Sequence, residues 1–525
     1  MKSSKGPLLS LAPHSEHCSL SELPDHALAL EGPIAVDLFC GAGGLSLGLQ
    51  MAGFNVVLGV DKNEQAVRSH AANFAGAAIC RDLSLESVAD EISRALAGLE
   101  VDLIAGGPPC QPFSQAAFSK VRHLRQHHGR GDDLRRNLWH SYMTIVRSVK
   151  PRAVLIENVP EMGFGRDGHI LRELVERLEG EGYTVYTRIL NAWPYGVPQF
   201  RQRLIIVGVR GDRRYEWPDG SNRPERLLGD AISDLPEVLG GDKTVRRPYS
   251  AITHHSQRYF REGVLEEEAG VIFDHFTRAV REDDLQAFQM MTSGTKYSDL
   301  PKDLKRYRDD IFVDKYKRLD AADLCRTITA HIAKDGYWYI HPEQHRTLTV
   351  REAARVQTFP DWFRFNGYPA NAFHQIGEAV PPLLGKALGE SLIDALALER
   401  RSHVPRTTEL SLILAQWKNR HSAQSYSSPW RASGKLWLVL VGELLLRRAT
   451  AFAKAFYWPR ILERWETPAM FIADAERSDL IAKLKGKESQ LIKLAAALDV
   501  APDEPEKSSG VLGVSEPLAR EALAI

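Results

Sequence analysis

"DLFCGAGGLSLGL", residues 37–49, decides the fold. An apolar run closes at Leu38, a turn follows that holds Gly41, Gly43 and Gly44, and the apolar start of a helix comes next. A strand that passes to a helix through glycines opens a βα unit, and glycine lets the main chain approach a ligand with no Cβ in the way. A turn that merely joins strand to helix would use the same residues. The next strand favours a ligand. "NVVLGV" ends at Asp61, where an acidic side chain can take ribose hydroxyls, and "RDLS" brings Asp82 after a third strand. The Walker pattern with its lysine is missing, so the turn is not a phosphate cradle. A nucleoside without a diphosphate fits, and S-adenosylmethionine is the candidate.

Outward from this stretch, "IAVDLF", "NVVLGV", "VDLIAGG" and "RAVLIENV" are buried-strand runs ending in Gly, Asp or Asn. Amphipathic stretches separate them, among them "EQAVRSHAANF" and "LESVADEISRALAG". Alternation of this kind predicts an α/β fold, a Rossmann-like parallel sheet with ligands at the carboxyl ends of its strands. "YTVYTRILNA" and "QRLIIVGVR" extend the sheet to about residue 210, after which the rhythm fails. The expected organisation is a loose arm (1–32), a catalytic domain (33–210), a loop-rich, charged domain (211–345), a helical return to the first domain (346–399), a linker (400–426) and a helical tail (427–525).

Among the 525 residues, Lys+Arg and Asp+Glu both number 67, so bulk charge announces no nucleic-acid partner. The five cysteines are scattered without a C-x-x-C pair, which argues against a disulfide framework or a metal site and for a reducing, cytoplasmic setting. Residues 1–32 lack a signal-peptide pattern. "LWLVLVGELLL" (436–446) is too short to span a membrane and carries Glu443, so no membrane partner is expected.

"GGPPCQPFS", 106–114, holds Cys110 in a proline-stiffened loop. A space-filling cysteine needs no such mounting, and metal ligands would need partners nearby; a nucleophile needs rigidity and partial exposure. With "DLFCGAGG", "ENV", "PQFRQR", "LTVREAARVQTFPD" and "QIGEAVPP" in this order, the chain resembles the DNA cytosine-5 methyltransferases over about residues 33–395. The resemblance implies a cofactor pocket for S-adenosylmethionine built from Phe39, Gly41, Gly43, Gly44, Leu45, Asp61, Asp82, Leu83, Pro108, Leu138, Glu378, Ala379 and Val380. Phe39 would stack on the adenine, Asp61 would hold the ribose, and Asp82 with Leu83 would meet the adenine edge. It implies Cys110 as the thiol adding to carbon 6 of cytosine, Glu157 of "ENV" holding or protonating the ring nitrogen, and Arg203 on the base's carbonyl oxygen. Arg201 alternates with Arg203 on one strand face and is counted with the catalytic residues. In isolation, Glu157 would be an ordinary strand-end acid and the arginines a solvated edge.

The target must be flipped from the duplex to be reached. Residues 120–136, "KVRHLRQHHGRGDDLRR", are a candidate loop closing over phosphates, although a solvated charged loop has the same composition. Where relatives have Asn in "GNAVPP", this chain has Glu378, a negative charge near the cofactor's methionine moiety. The resemblance gives target recognition to the segment after "PQFRQR". Residues 211–320 there carry 19 Lys+Arg against 22 Asp+Glu, so no broad basic face is visible. The expected partners are double-stranded DNA and, in a restriction–modification system, a cognate endonuclease acting separately; the chain is expected to be a monomer. A tRNA methyltransferase on the same motifs and a catalytically dead DNA-binding relative are the alternatives. The large variable region favours DNA, and intact Cys110, Glu157 and Arg203 favour an enzyme.

Residues 411–460 carry eight Lys+Arg against one acid, with aromatics interleaved. That pattern suits nucleic acid or an amphipathic core helix. About residues 427–525 resemble the opening helices of endonuclease III-like glycosylases, with Glu443 where adenine-specific members keep an acid. The chain stops before their catalytic aspartate, and no cysteine follows Cys325 to hold an iron–sulfur cluster.

Overall fold

The computed structural model describes residues 6–109, 138–163, 168–211, 213–220, 226–264, 270–306 and 315–398, together with Val441, Ile461, Trp465, Thr467, Met470 and Phe471. Two compact units divide the chain, Met1–His403 and Val404–Ile525, and the fold below is that of the first. Cys110, the loop 120–136, Glu443 and nearly all of the glycosylase-like stretch 427–525 lie outside the described residues.

The first unit is built on a seven-stranded sheet. In chain order the strands are β1 (Ile34–Leu38), β2 (Asn55–Asp61), β3 (Ala77–Cys80), β4 (Leu103–Gly106), β5 (Ala153–Asn158), β6 (Tyr183–Asn191), the two-residue β7 (Gln199–Phe200) and β8 (Gln202–Arg210). The sheet order is β3-β2-β1-β4-β5-β8-β6, and β7 stands outside it. The first five strands run parallel, as the alternating sequence predicts. β8 runs antiparallel to both its neighbours, a departure from a wholly parallel sheet. Its cause is connection length: parallel neighbours need a crossover of a dozen or more residues, and the short segment between Asn191 and Gln202 leaves a reversal as the available path.

Side-chain alternation sorts the strands onto two faces. Val36, Leu38, Leu58, Val60, Ile104, Val154, Ile156 and Ile206 pack with the helices Glu86–Ala95, Leu138–Val149 and Gly168–Gly180. Ala35, Val56, Leu103, Ala105, Leu155, Ile205 and Val207 pack on the other face with the helices Gly44–Ala52 and Pro382–Leu396. The last helix thus comes from the far end of the described chain. It lies so close to Gly44–Ala52 that a Cβ on Gly48 would sit 2.5 Å from the Pro382 carbonyl oxygen and 2.7 Å from the Gly385 backbone.

A third core joins Ala42, Leu47 and Phe74 to Leu228, Ile232, Phe260 and Ile272 and to the segment Leu348–Ile376. Buried ion pairs bind these parts. Arg355 Nη1 lies 2.5 Å from Asp234 and its Nη2 lies 2.6 Å from Asp361, with all three side chains essentially inaccessible. Arg261 reaches the same Asp234 at 2.5 Å, Arg346 meets Glu352 at 2.7 Å, and Arg351 meets Asp274 at 3.3 Å. Burial pushes the Asp361 carboxyl up, but the adjoining Arg355 guanidinium outweighs it and holds the group below its ordinary value. Among the described residues no helix is long and apolar enough to cross a membrane.

Gly48→Val should destabilise the unit by about 1–3 kcal/mol, the usual cost of overfilling a packed core. Chemical denaturation followed by circular dichroism would measure it, and an unchanged midpoint would contradict the close helix contact.

Candidate active site

β1 and β4 are neighbours, yet the chain leaves them in opposite directions across the sheet, towards β2 and towards β5. Their carboxyl ends therefore border a crevice, the place where open α/β sheets bind ligands. On the β1 side, Phe39 follows the strand with φ 62° and Gly41 with φ 55°. A positive φ strains a bulky residue, so the surrounding structure must hold Phe39 in place. At Gly41 an added Cβ would meet nothing within 4 Å among the described residues, which leaves room there beside the strand end. Gly44 is different, since a Cβ there would lie 2.4 Å from the Val380 carbonyl oxygen. The turn is thus roomy at Gly41 and closed at Gly44 by the "GEAVPP" backbone.

Asp61 ends β2 and ties this turn down. Its Oδ2 accepts from Gly41 N at 3.0 Å and its Oδ1 from Asn63 N at 2.8 Å. Burial pushes the carboxyl above its ordinary value, against those two backbone donors, and Glu378 adds to the rise. Asp82 is exposed, and its Oδ1 accepts from Ser84 N at 2.9 Å. Phe39, Leu83 and Leu138 meet in one apolar cluster. Open space at Gly41, an acid at its rim and an apolar wall beyond suit a nucleoside with a cationic tail better than a polyphosphate.

Glu378 closes the helix Pro369–Glu378, and its Oε2 lies 3.1 Å from His374 Nδ1, one turn earlier. The adjoining Glu378 carboxylate raises the His374 pKa, and the Asp61 charge raises it further. Glu378 therefore comes with a basic partner. The i,i+4 spacing of His374 and Glu378 could have announced that pair.

At the β4 side, Gly106 ends the strand, and Asn158 Nδ2 donates to the Pro108 carbonyl at 3.0 Å. Asn158, a buried residue that the sequence reading passed over, thereby anchors the segment leading to position 110. No local signal marks it, because its partner lies fifty positions away. Glu157 stands next to it at the end of β5. Its Oε1 lies 2.7 Å from Arg203 Nε, and its Oε2 would be 3.3 Å from a Cβ on Gly107. The pairing of Asn158 with Leu204 puts Arg203 just beyond the end of β5. A carboxylate and a guanidinium, both mostly buried, thus stand together beside the loop that carries Cys110, itself outside the described residues.

Arg201 lies deeper than its alternation with Arg203 suggests. Counted with the catalytic residues from its alternation with Arg203, it is buried, donating to the Ile328 carbonyl at 2.7 Å and the Ala379 carbonyl at 2.9 Å. Burial lowers its pKa well below the ordinary value. Its Nη1 and Nη2 are engaged by these two carbonyls, so Arg201 ties the "GEAVPP" loop to the segment after Cys325. A second group absent from the sequence reading lies beneath the site. Ser46 Oγ donates to Asp37 at 2.6 Å and lies 3.0 Å from His70 Nε2, pinning the helix Gly44–Ala52 to β1. Burial pushes Asp37 up to about 7 and His70 down to about 3.

Residues 35–394 match the family model described as C-5 cytosine-specific DNA methylase. The chain is similar to the type II methyltransferase M.XorII of Xanthomonas oryzae pv. oryzae, with 34% identity over 383 residues, covering 69% of this chain and 85% of the relative. It is also similar to the type II methyltransferase M1.HphI of Haemophilus parahaemolyticus, with 31% identity over 360 residues, 68% of this chain and 86% of the relative. In fold it resembles a prophage-encoded E. coli chain described as a DNA modification methyltransferase, at a TM-score of 0.56 and 24% identity, covering 70% of this chain and 99% of the other. The matched span holds the crevice, the Gly-rich turn and the Glu157–Arg203 pair, and the chain belongs to the C-5 cytosine-specific DNA methylases.

Proposed function

We propose that this chain methylates carbon 5 of a flipped-out cytosine in duplex DNA through a covalent Cys110 adduct. The observation that carries the site assignment is the Glu157–Arg203 pair at 2.7 Å beside Gly107, three residues ahead of Cys110. Carbon 5 of cytosine is a weak nucleophile. The Cys110 thiolate adds to carbon 6, and the electron pair of the 5,6 double bond becomes available at carbon 5. Glu157 holds or protonates the ring nitrogen, so the charge created by addition is neutralised where it develops. Arg203 donates to the base's carbonyl oxygen and keeps Glu157 oriented. After carbon 5 has gained its methyl group, water or a nearby base takes its proton, the freed electron pair re-forms the 5,6 double bond, and the bond to Cys110 breaks to release the thiolate.

S-adenosylmethionine supplies an electrophilic methyl group on a sulfonium centre. Phe39, Leu83, Pro108 and Leu138 would enclose its adenine, Asp61 its ribose and Asp82 the adenine edge. The backbone of Gly41, Gly43, Gly44 and Leu45 and the loop Glu378, Ala379 and Val380 would border the rest. A place in a restriction–modification system, beside a separate endonuclease, is supported by the type II methyltransferase names of the relatives. For residues 427–525 the basic, aromatic-interleaved stretch 411–460 that runs into them supports DNA binding without base excision; alkali-labile sites in G·T-mismatched duplexes after incubation would overturn it.

Glu157→Gln should lower kcat by roughly 10²–10⁴, the range for losing a positioned acid–base group, with cofactor binding retained. Duplex DNA carrying 5-fluorocytosine should trap a covalent adduct on Cys110, because fluorine does not leave as a proton does. Mass spectrometry finding the adduct on another cysteine would sink the assignment. Asp61→Ala should weaken cofactor binding by about 1.5–3 kcal/mol, the loss expected for a charged hydrogen bond. Calorimetry giving unchanged affinity would reject the ribose role.

A further inference from the structure

Glu378 is held in place more firmly than an exposed acid needs to be. Gly377 before it packs directly on another segment, where an added Cβ would lie 2.3 Å from the Ala330 nitrogen. The carbonyl of Ala379 after it accepts from Arg201 Nη2 at 2.9 Å and from Gln357 Nε2 at 3.2 Å. Val380 then closes against Gly44, so residues 377–380 are clamped onto the Gly-rich turn. The Glu378 side chain itself is 54% exposed. His374 Nδ1 lies 3.1 Å from its Oε2 but finds no hydrogen-bond partner, so the carboxylate is approached without being capped.

This carboxylate does not stand alone. Its charge is felt at Asp61, where it outweighs the opposing charge of the exposed Lys62. Two acids thus repel one another at the border of the room beside Gly41. A cation arriving there relieves that repulsion, and a neutral ligand does not. The molecules at the two ends of a methyl transfer differ in this respect. S-adenosylmethionine carries a positive sulfonium, bonded to the 5′ carbon of the ribose that Asp61 would hold. When carbon 5 of cytosine takes the methyl group, the sulfur–methyl bond breaks with its electron pair staying on sulfur. The thioether left behind is neutral. Apart from that methyl group the two molecules are alike, so charge is a property by which a site can tell them apart.

We propose that Glu378, set beside Asp61 at the rim of the crevice, is a specificity-determining residue that makes the site prefer the sulfonium of S-adenosylmethionine to the neutral thioether of S-adenosylhomocysteine, an inference that rests on the cofactor reading above. The clamp on residues 377–380 fixes the backbone of Glu378 before the ligand arrives, which lowers the order lost on binding. The preference acts at both ends of the reaction, since the spent cofactor loses an attraction that the fresh one has. His374 sets its size from the other side: whatever positive charge the imidazole carries offsets the Glu378 carboxylate.

The test is calorimetric titration of the full chain at neutral pH with S-adenosylmethionine, S-adenosylhomocysteine and sinefungin, whose charged amine stands in place of the sulfonium methyl. The wild type should bind the two cationic ligands more tightly than S-adenosylhomocysteine, by a ratio that shrinks as salt is added. Glu378→Gln should lower the affinity for both cationic ligands by roughly two- to fivefold, the worth of a charge pair at an exposed rim. Its affinity for S-adenosylhomocysteine and its melting temperature should stay at wild-type values. His374→Gln, which removes the base and leaves the carboxylate, should keep or widen the wild-type ratio. Equal losses for charged and neutral ligands in Glu378→Gln, or a ratio narrowed alike by both variants, would overturn the proposal. A wild-type chain that binds none of the three ligands would instead overturn the cofactor reading on which it rests.

Discussion

The rest of the site depends on two parallel neighbours, β1 and β4, whose chains part in opposite directions. No crossover covers their carboxyl ends, so the sheet opens there without breaking a ladder of hydrogen bonds. One wall takes the Gly-rich turn from β1, the other takes "GGPP" from β4, and the two are brought together although Gly41 and Pro108 are far apart in the chain. Each wall is then fixed from a neighbouring strand. Asp61 at the end of β2 receives the Gly41 amide, and Asn158 at the end of β5 holds the Pro108 carbonyl. Two side-chain hydrogen bonds of about 3.0 Å thus shape both sides of the crevice.

Desolvation separates residues that look equivalent along the chain. Arg201 and Arg203 are two apart on adjoining strand segments, and alternation assigns them one face. Arg201 meets two carbonyl oxygens in the interior, where a cation unmatched by a full charge is costly and its pKa falls. Arg203 meets the Glu157 carboxylate at the rim. What distinguishes the two is the partner that each guanidinium finds, and both partners come from distant parts of the sequence.

The same physics joins the segment around Asp234 to the helix Val350–Val356 and the turn after it. A buried ion pair is a poor source of net stability but a demanding one in geometry, because removing either member strands a charge at about 3–5 kcal/mol. Arg355 between Asp234 and Asp361 imposes such a demand on two segments, that of Asp234 and Leu348–Ile376. The consequence for function is positional. The residues after "PQFRQR" cannot drift relative to "TVREAARVQTFPD" without breaking those pairs.

By itself the sequence determined the strand–helix alternation, the Gly-rich turn opening the first βα unit and the residue types around the crevice. Hydrophobic periodicity and turn chemistry are local, so β1, β2, β4, β5, β6 and β8 were legible from their side-chain patterns. Asp61 and Glu157 were legible too, each as an acid closing such a run. Tertiary structure alone decided the reversed β8, the burial of Arg201, the role of Asn158 and the Asp37–Ser46–His70 cluster. It also decided the contact of Gly48 with Gly385, two helices separated by most of the unit. Each of these depends on which distant backbone or charge lies within about 3 Å, and neither period nor composition encodes a distance.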